Sequence, residues 1–197
     1  MFLMLKPSGE TIVRFIDSQS NLPFSYSQTG TTRTQPPSGF TVDHNRVRLG
    51  EGKEVYDRAV AALRNWKQFD LGWVGIVPAG LPIEVGTTVA IQAKTFGFWS
   101  LSACRIVYVI EEDDAVKKFG FAYGTLPDHV ECGEERFTVE WQADDSVWYD
   151  ILAFSRPRHP LARLGRLFAR RLQKQFARES LAKMLAISVP AEGRRWS

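Results

Sequence analysis

Hydrophobic and polar positions along the chain fall into two regimes. Over residues 52–68 apolar side chains recur every three to four positions, at Tyr56, Ala59, Val60, Leu63 and Trp66. Asp57, Arg58 and Arg64 fall on the other side. That period predicts an amphipathic helix. From Trp73 the period becomes two and stays so to Arg156. Strands are predicted over 73–78, 87–96, 103–112, 117–126, 134–142 and 147–156, with an earlier one over 40–50. The gaps are short and carry turn residues, as at Ala143-Asp144-Asp145-Ser146. Short gaps imply antiparallel neighbours, because parallel neighbours need long crossovers.

The last strand is predicted to end in Arg156-Pro157-Arg158-His159-Pro160, and Pro160 suits the first turn of a helix. Leu161, Leu164, Phe168, Leu172 and Phe176 then lie within about 120° of one another on a helical wheel. Arg163, Arg166, Arg170, Lys174 and Arg178 fall opposite. This helix is expected to run to Leu185, with 188–197 as a flexible tail. Residues 1–38 read as a lead-in. It holds a short helix capped by Ser8 and a polar stretch that Phe24, Tyr26 and Phe40 pack down. Residues 39–187 form the domain proper. The order predicts an α+β fold: a single curved antiparallel sheet of about seven strands closed by a long amphipathic C-terminal helix.

Composition narrows the class. The 197 residues include thirteen Phe, six Trp and five Tyr, more rings than an ordinary surface accounts for. A chain of this length buries roughly 70% of its unfolded surface, so a core forms without disulfides or metals. Two cysteines cannot frame a disulfide scaffold or a zinc site. The three histidines lie far apart, and no metal site or cofactor is expected. No apolar run is long enough for a transmembrane helix. The opening residues lack a signal-peptide core, and the expected location is cytoplasmic.

The net charge of +3 hides an asymmetry. Residues 1–155 carry 14 basic and 20 acidic side chains, whereas 156–197 carry 11 basic and 2 acidic. On the wheel the positive charge lies opposite the apolar stripe, the pattern of a helix docked on a sheet with a solvated outer face. The rings on this helix lie away from the arginines. That argues against a stacking surface, and no nucleic acid is expected.

Several long stretches carry a family likeness. They are Asp43-His44-Asn45-Arg46-Val47-Arg48-Leu49-Gly50, Cys104-Arg105-Ile106-Val107-Tyr108-Val109, Phe119-Gly120-Phe121-Ala122-Tyr123-Gly124-Thr125-Leu126-Pro127 with Gly133-Glu134-Glu135-Arg136-Phe137, and Val147-Trp148-Tyr149-Asp150-Ile151-Leu152-Ala153-Phe154. In these the chain resembles the domain of unknown function nineteen-ninety family, the UPF zero-five-four-eight proteins. The element order looks like the helix-grip fold of START and Bet v 1-like proteins. That resemblance implies an apolar ligand held between the sheet and the C-terminal helix.

Candidate chemistry concentrates in the hairpin that holds Tyr123, Thr125, His129, Glu131, Glu134 and Glu135. A histidine near carboxylates is the usual material for proton transfer at neutral pH. The same stretch also reads as a solvated surface loop. A second group, His44, Arg46 and Arg48, shares one strand face and could hold an anion or pair with a neighbouring strand. Arg105 lies in an otherwise apolar strand; if it is buried it needs a carboxylate, with Glu140 or Asp150 as candidates. Cys104 reads as a core thiol and Cys132 as a loop thiol. Both faces of 147–154 are apolar, so the second needs a cover, either the lead-in or a partner chain such as a second copy in a homodimer.

Three functions follow. The leading one is binding of a small apolar or amphiphilic ligand lined by Tyr108, Phe121, Tyr123, His129, Glu131, Tyr149, Phe168 and Leu172. The second is an enzyme of cyclase, hydratase or hydrolase type using Tyr123, His129 or Glu131. The third is an interaction protein using the basic helix.

Overall fold

The computed structural model describes residues 1–158 and 166–189. The predicted first helical turn, with Pro160, Leu161, Arg163 and Leu164, and the tail beyond 189 lie outside the described residues. Among the described residues eight strands and three α-helices follow in the order β1 (Phe2–Leu3), α1 (Gly9–Gln19), β2 (Thr41–Glu51), α2 (Lys53–Arg64), β3 (Val74–Val77), β4 (Thr88–Thr95), β5 (Phe98–Asp113), β6 (Lys117–Thr125), β7 (Glu131–Trp141), β8 (Ser146–Pro157) and α3 (Arg166–Ser188).

The sheet is one antiparallel meander. Its order is β2-β8-β7-β6-β5-β4-β3, and β1 pairs with the first residues of β5. The connections inferred from the sequence join β3 through β8 in succession, whereas β1 and β2 reach their neighbours from a distance. The fold is α+β, with α2 and α3 gathered on the inner face as anticipated. Leu63 of α2, Phe69, Phe121, Phe137, Tyr149, Ile151 and Met184 of α3 form the centre of the core between the layers.

Helix α2 stops earlier than its apolar period suggests. Trp66 takes a left-handed backbone with φ 56° and donates its indole N–H to the Leu81 carbonyl at 2.9 Å. A 3-10 turn, Lys67–Phe69, follows and delivers Phe69 beneath α3, where its ring centroid lies 4.8 Å from that of Phe176. The outer sheet face is covered by the lead-in: Tyr26 and Phe40 both meet the Phe154 ring edge-on.

Arg105 is only partly buried and pairs with neither Glu140 nor Asp150. Its side chain crosses the outer face to the end of α1 and donates to the carbonyls of Gln19, Ser20 and Leu22 at 3.1, 2.6 and 2.9 Å. Unpaired carbonyls at a helix C-terminus carry partial negative charge and serve a cation in a carboxylate's place. Glu140 binds Arg46 instead, and Asp150 binds His44 and Arg136. Cys132 also departs from its reading as a loop thiol. It is buried in β7, and Arg156 Nε lies 3.4 Å from its sulfur.

Candidate functional site

Between the inner face of the sheet and α3 lies a cleft of about 440 Å³. Its floor is aromatic. Phe69 and Tyr123 line it with centroids 6.1 Å apart, and the fully buried Phe137 packs behind both at 5.6 Å from each. Leu172, Phe176 and Ala177 of α3 form the roof, and Trp73, Val74 and Ile91 close one side.

The side chain at the centre of this cleft is Glu135. Alternation along β7 sets it on the same face as Phe137 and Val139, so a carboxyl group projects where the core begins. Tyr123, directly opposite on β6, donates its hydroxyl to Glu135 Oε2 at 2.6 Å. Burial pushes the Glu135 pKa up from its ordinary 4.5 to about 7. The Tyr123 hydrogen bond pulls the other way, and the Asp43 charge adds to the rise. The Tyr123 phenol is raised well above its usual value, first by burial and then by the Glu135 charge. A carboxyl group held near neutrality can give or take a proton at physiological pH.

The rim is fastened by polar pairs between α3 and the strands at the β2 edge. Arg170 grips both carboxylate oxygens of Asp43, one of them at 2.7 Å, and Gln173 Nε2 donates to Ser155 Oγ at 3.2 Å. On the other side Trp73 donates its indole N–H to Glu179 at 2.6 Å.

Of the residues singled out from sequence, Tyr123, His129, Glu131 and Leu172 line the cleft. His129 accepts the Glu131 backbone N–H at its Nδ1 at 3.1 Å, and burial pulls its pKa down from 6.5 to about 4. It is therefore a neutral imidazole at pH 7. Phe121 lies under α2, packed on Trp66 at 4.8 Å. Tyr149 is sealed beneath α3, with its hydroxyl 3.1 Å from Ser180 Oγ.

Tyr108 is on the other face. The β5–β6 register shifts between Ile106 and Tyr108, so Ile106 pairs with Tyr123 while Tyr108 pairs with Ala122. One extra residue in a strand reverses the facing of everything beyond it. Tyr108 consequently meets Thr32 of the lead-in at 2.6 Å. Phe168 does not reach the cleft either, being 38% exposed and stacked on Phe96. Apolar positions spaced by four drift about 40° per step around a helix, so two steps back from Phe176 the stripe has turned about 80°.

The basic trio lies on the outer face of β2, with a carboxylate at each side chain. His44 contacts Asp150, Arg46 contacts Glu140 at 2.9 Å, and Arg48 contacts Glu51. Among the described residues no group of three or more His, Cys, Asp or Glu is arranged to hold a metal ion.

Glu135 was within the candidate hairpin but not singled out from it. The signal for it was the row Phe137, Val139, Trp141. Extending that alternation back one step puts Glu135 on the core face.

Residues 25–183 match the family described as Domain of unknown function (DUF1990). The chain belongs to this family. A UPF0548 protein of Dictyostelium discoideum is 41% identical over 204 residues, covering 94% of this chain and 94% of that protein. A UPF0548 protein of Arabidopsis thaliana is 39% identical over 150 residues, covering 75% of this chain and 73% of that protein. Among solved structures, a hypothetical protein from Helicobacter pylori superposes with a TM-score of 0.52 at 14% identity, covering 85% of this chain and 96% of that one. That likeness concerns the fold. For this DUF1990 chain, the chemistry has to be read from the cleft itself.

Proposed function

We propose that this protein binds a small apolar or amphiphilic molecule in the cleft between the sheet and α3. The observation that carries the reading is an aromatic-floored space of about 440 Å³ with a carboxyl group inside it. Sites for small molecules are commonly about 300–1,000 Å³, mostly apolar, with a few polar groups that fix orientation. A cytoplasmic setting belongs to the same reading, supported by two buried cysteines that remain free thiols.

The test is native mass spectrometry and thermal shift of the full chain against simple twelve-carbon amphiphiles, beside Leu172→Trp. Leu172 stands in the roof, so the larger ring fills the space it lines. Saturable one-to-one binding that Leu172→Trp abolishes, while the variant stays folded, is the expected result. Binding that the tryptophan leaves unchanged places the ligand elsewhere and ends this reading.

A further inference from the structure

We propose that the ligand of this cleft is a cationic amphiphile: a protonated amine seated on Glu135, with an apolar body lying against Phe69, Tyr123, Leu172 and Phe176. This rests on the ligand-binding reading above and specifies its chemical class.

The argument starts from how this protein treats its carboxylates. The sheet buries three carboxylates, Glu134, Glu140 and Asp150, and each has its donors, whereas Glu135 is partly exposed to the cleft. Asp150 is held by His44 and Arg136, and Glu140 by Arg46 and by Gln142 at 2.9 Å. Glu134 receives hydrogen bonds from Tyr26, from the Gly30 and Thr32 backbone, and from the Thr32 hydroxyl. Asp43, at the cleft rim, is gripped by Arg170. Glu135 differs. Among the described residues its one hydrogen bond is from the neutral Tyr123 hydroxyl to Oε2, and no Lys, Arg or His pairs with it.

A carboxylate taken out of water is costly unless a cation or several donors meet it. Here the cleft side of Glu135 offers open space instead of a partner. Among the described residues, Tyr123, Tyr149 and Cys104 around it are neutral partners packed beside or behind the cleft wall, His129 in the lining is a neutral imidazole at pH 7, and Asp43 at the rim is an acid. Asp43 is already spent on Arg170. Of the α3 residues that roof the cleft, Leu172, Phe176 and Ala177 are apolar and Lys174 is exposed at the mouth. A ligand amine supplies the missing cation and three donors, one of which fits the free carboxylate oxygen. A ligand carboxylate would meet like charge from Glu135. The apolar body then follows the floor toward Phe69, away from the rim pairs.

The test uses one chain length with three heads: dodecylamine, dodecanol and dodecanoate, each below its aggregation threshold. They are titrated at pH 8 against the full chain, Glu135→Gln and Leu172→Trp. Dodecylamine is expected to bind at least tenfold more tightly than dodecanol, with dodecanoate weakest. In Glu135→Gln the amine should fall to the level of the alcohol while dodecanol is little changed. That alcohol control also shows that the variant's cleft is folded. Leu172→Trp should reduce all three. If the three heads bind alike, or the amine preference survives in Glu135→Gln, the cleft still holds a ligand and the cationic assignment is overturned. If none of the three binds, the ligand-binding reading falls and this inference with it.

Discussion

Glu134 and Glu135 are neighbours in β7, carry the same side chain and meet opposite fates. Glu134 points to the outer face and is locked to the lead-in by four donors. Glu135 points to the inner face and has one neutral donor and a cleft before it. The pleat of one strand thus divides two jobs. The outer face spends a carboxylate on holding a loop in place, and the inner face keeps one available. A buried acid is a sign of function only after its donors have been counted, because a fully satisfied one is structural.

The sharpest way to break this comparison is to remove each acid in turn. Glu134→Ala strands the Tyr26 hydroxyl and the Gly30 and Thr32 backbone N–H groups, and should cost about 3–5 kcal/mol in urea unfolding. Limited proteolysis should then cut within residues 25–33 before the rest of the chain. A loss below about 1 kcal/mol would mean that water replaces the carboxylate without penalty, and the contrast would collapse.

A smaller effect comes from Gly124, which leaves room for Tyr26 to reach Glu134. A Cβ there would lie 2.2 Å from the Tyr26 hydroxyl oxygen. Gly124→Ala is therefore expected to cost about 2–3 kcal/mol by forcing the ring off its partner. Combined with Tyr26→Phe the losses should be less than additive, since both disturb one contact. Full additivity in a denaturation cycle would separate Gly124 from the Glu134 lock.

The inner face is expected to register pH. Glu135 binds its proton more tightly in the folded chain, with a pKa of about 7 against an ordinary 4.5. Its contribution is thus greatest below pH 4.5, declines as pH rises toward 7, and is flat above. His129 runs the other way. Its folded value of about 4 against 6.5 means stability is lost as pH falls from 6.5 toward 4. The two slopes oppose one another between pH 4.5 and 6.5. Glu135→Gln should unmask the His129 loss on acidification, and His129→Gln should leave stability rising as pH falls. Each change should amount to about 1–2 kcal/mol across the window, given ~1.4 kcal/mol for a tenfold change in proton affinity. Parallel pH profiles for the two variants and the parent chain would refute the assignment.

Much of the fold was legible because alternation and helical period survive in a single sequence. The strands predicted over 117–126 and 147–156 are close to β6 and β8 as found. What escaped depends on single-residue events that periodicity does not record. The bulge between Ile106 and Tyr108 moves a predicted cleft residue to the outer face. The left-handed Trp66 ends α2 early and swings Phe69 into the cleft floor. Phe2–Leu3 is too short to show a period, yet it pairs with β5. The site was legible as a neighbourhood but not as a pair. The hairpin was found, while the partner of Tyr123 turned out to be Glu135, and His129 is engaged by the Glu131 backbone.

The smallest expected effect tests how the cleft is closed. The outer face is held by four neutral donors, two of them backbone N–H groups, whereas the rim near β2 is held by the side-chain pair Arg170–Asp43 and the Gln173–Ser155 bond. Side-chain pairs that retain solvent contact are individually weak, and both partners here are only partly buried. A double-mutant cycle on Arg170→Met and Asp43→Asn should return a coupling of about 1 kcal/mol, at the upper end for such pairs because two oxygens are engaged. The coupling should shrink in high salt, unlike the Glu134 lock, whose donors are neutral. Hydrogen exchange should rise in residues 166–176 of the double variant and stay unchanged at 25–33. A coupling near zero, or exchange that rises equally on both faces, would mean that α3 is held by its apolar stripe alone. In that case ligand entry would be governed by packing at Phe176 and Met184 instead of by an ionic latch.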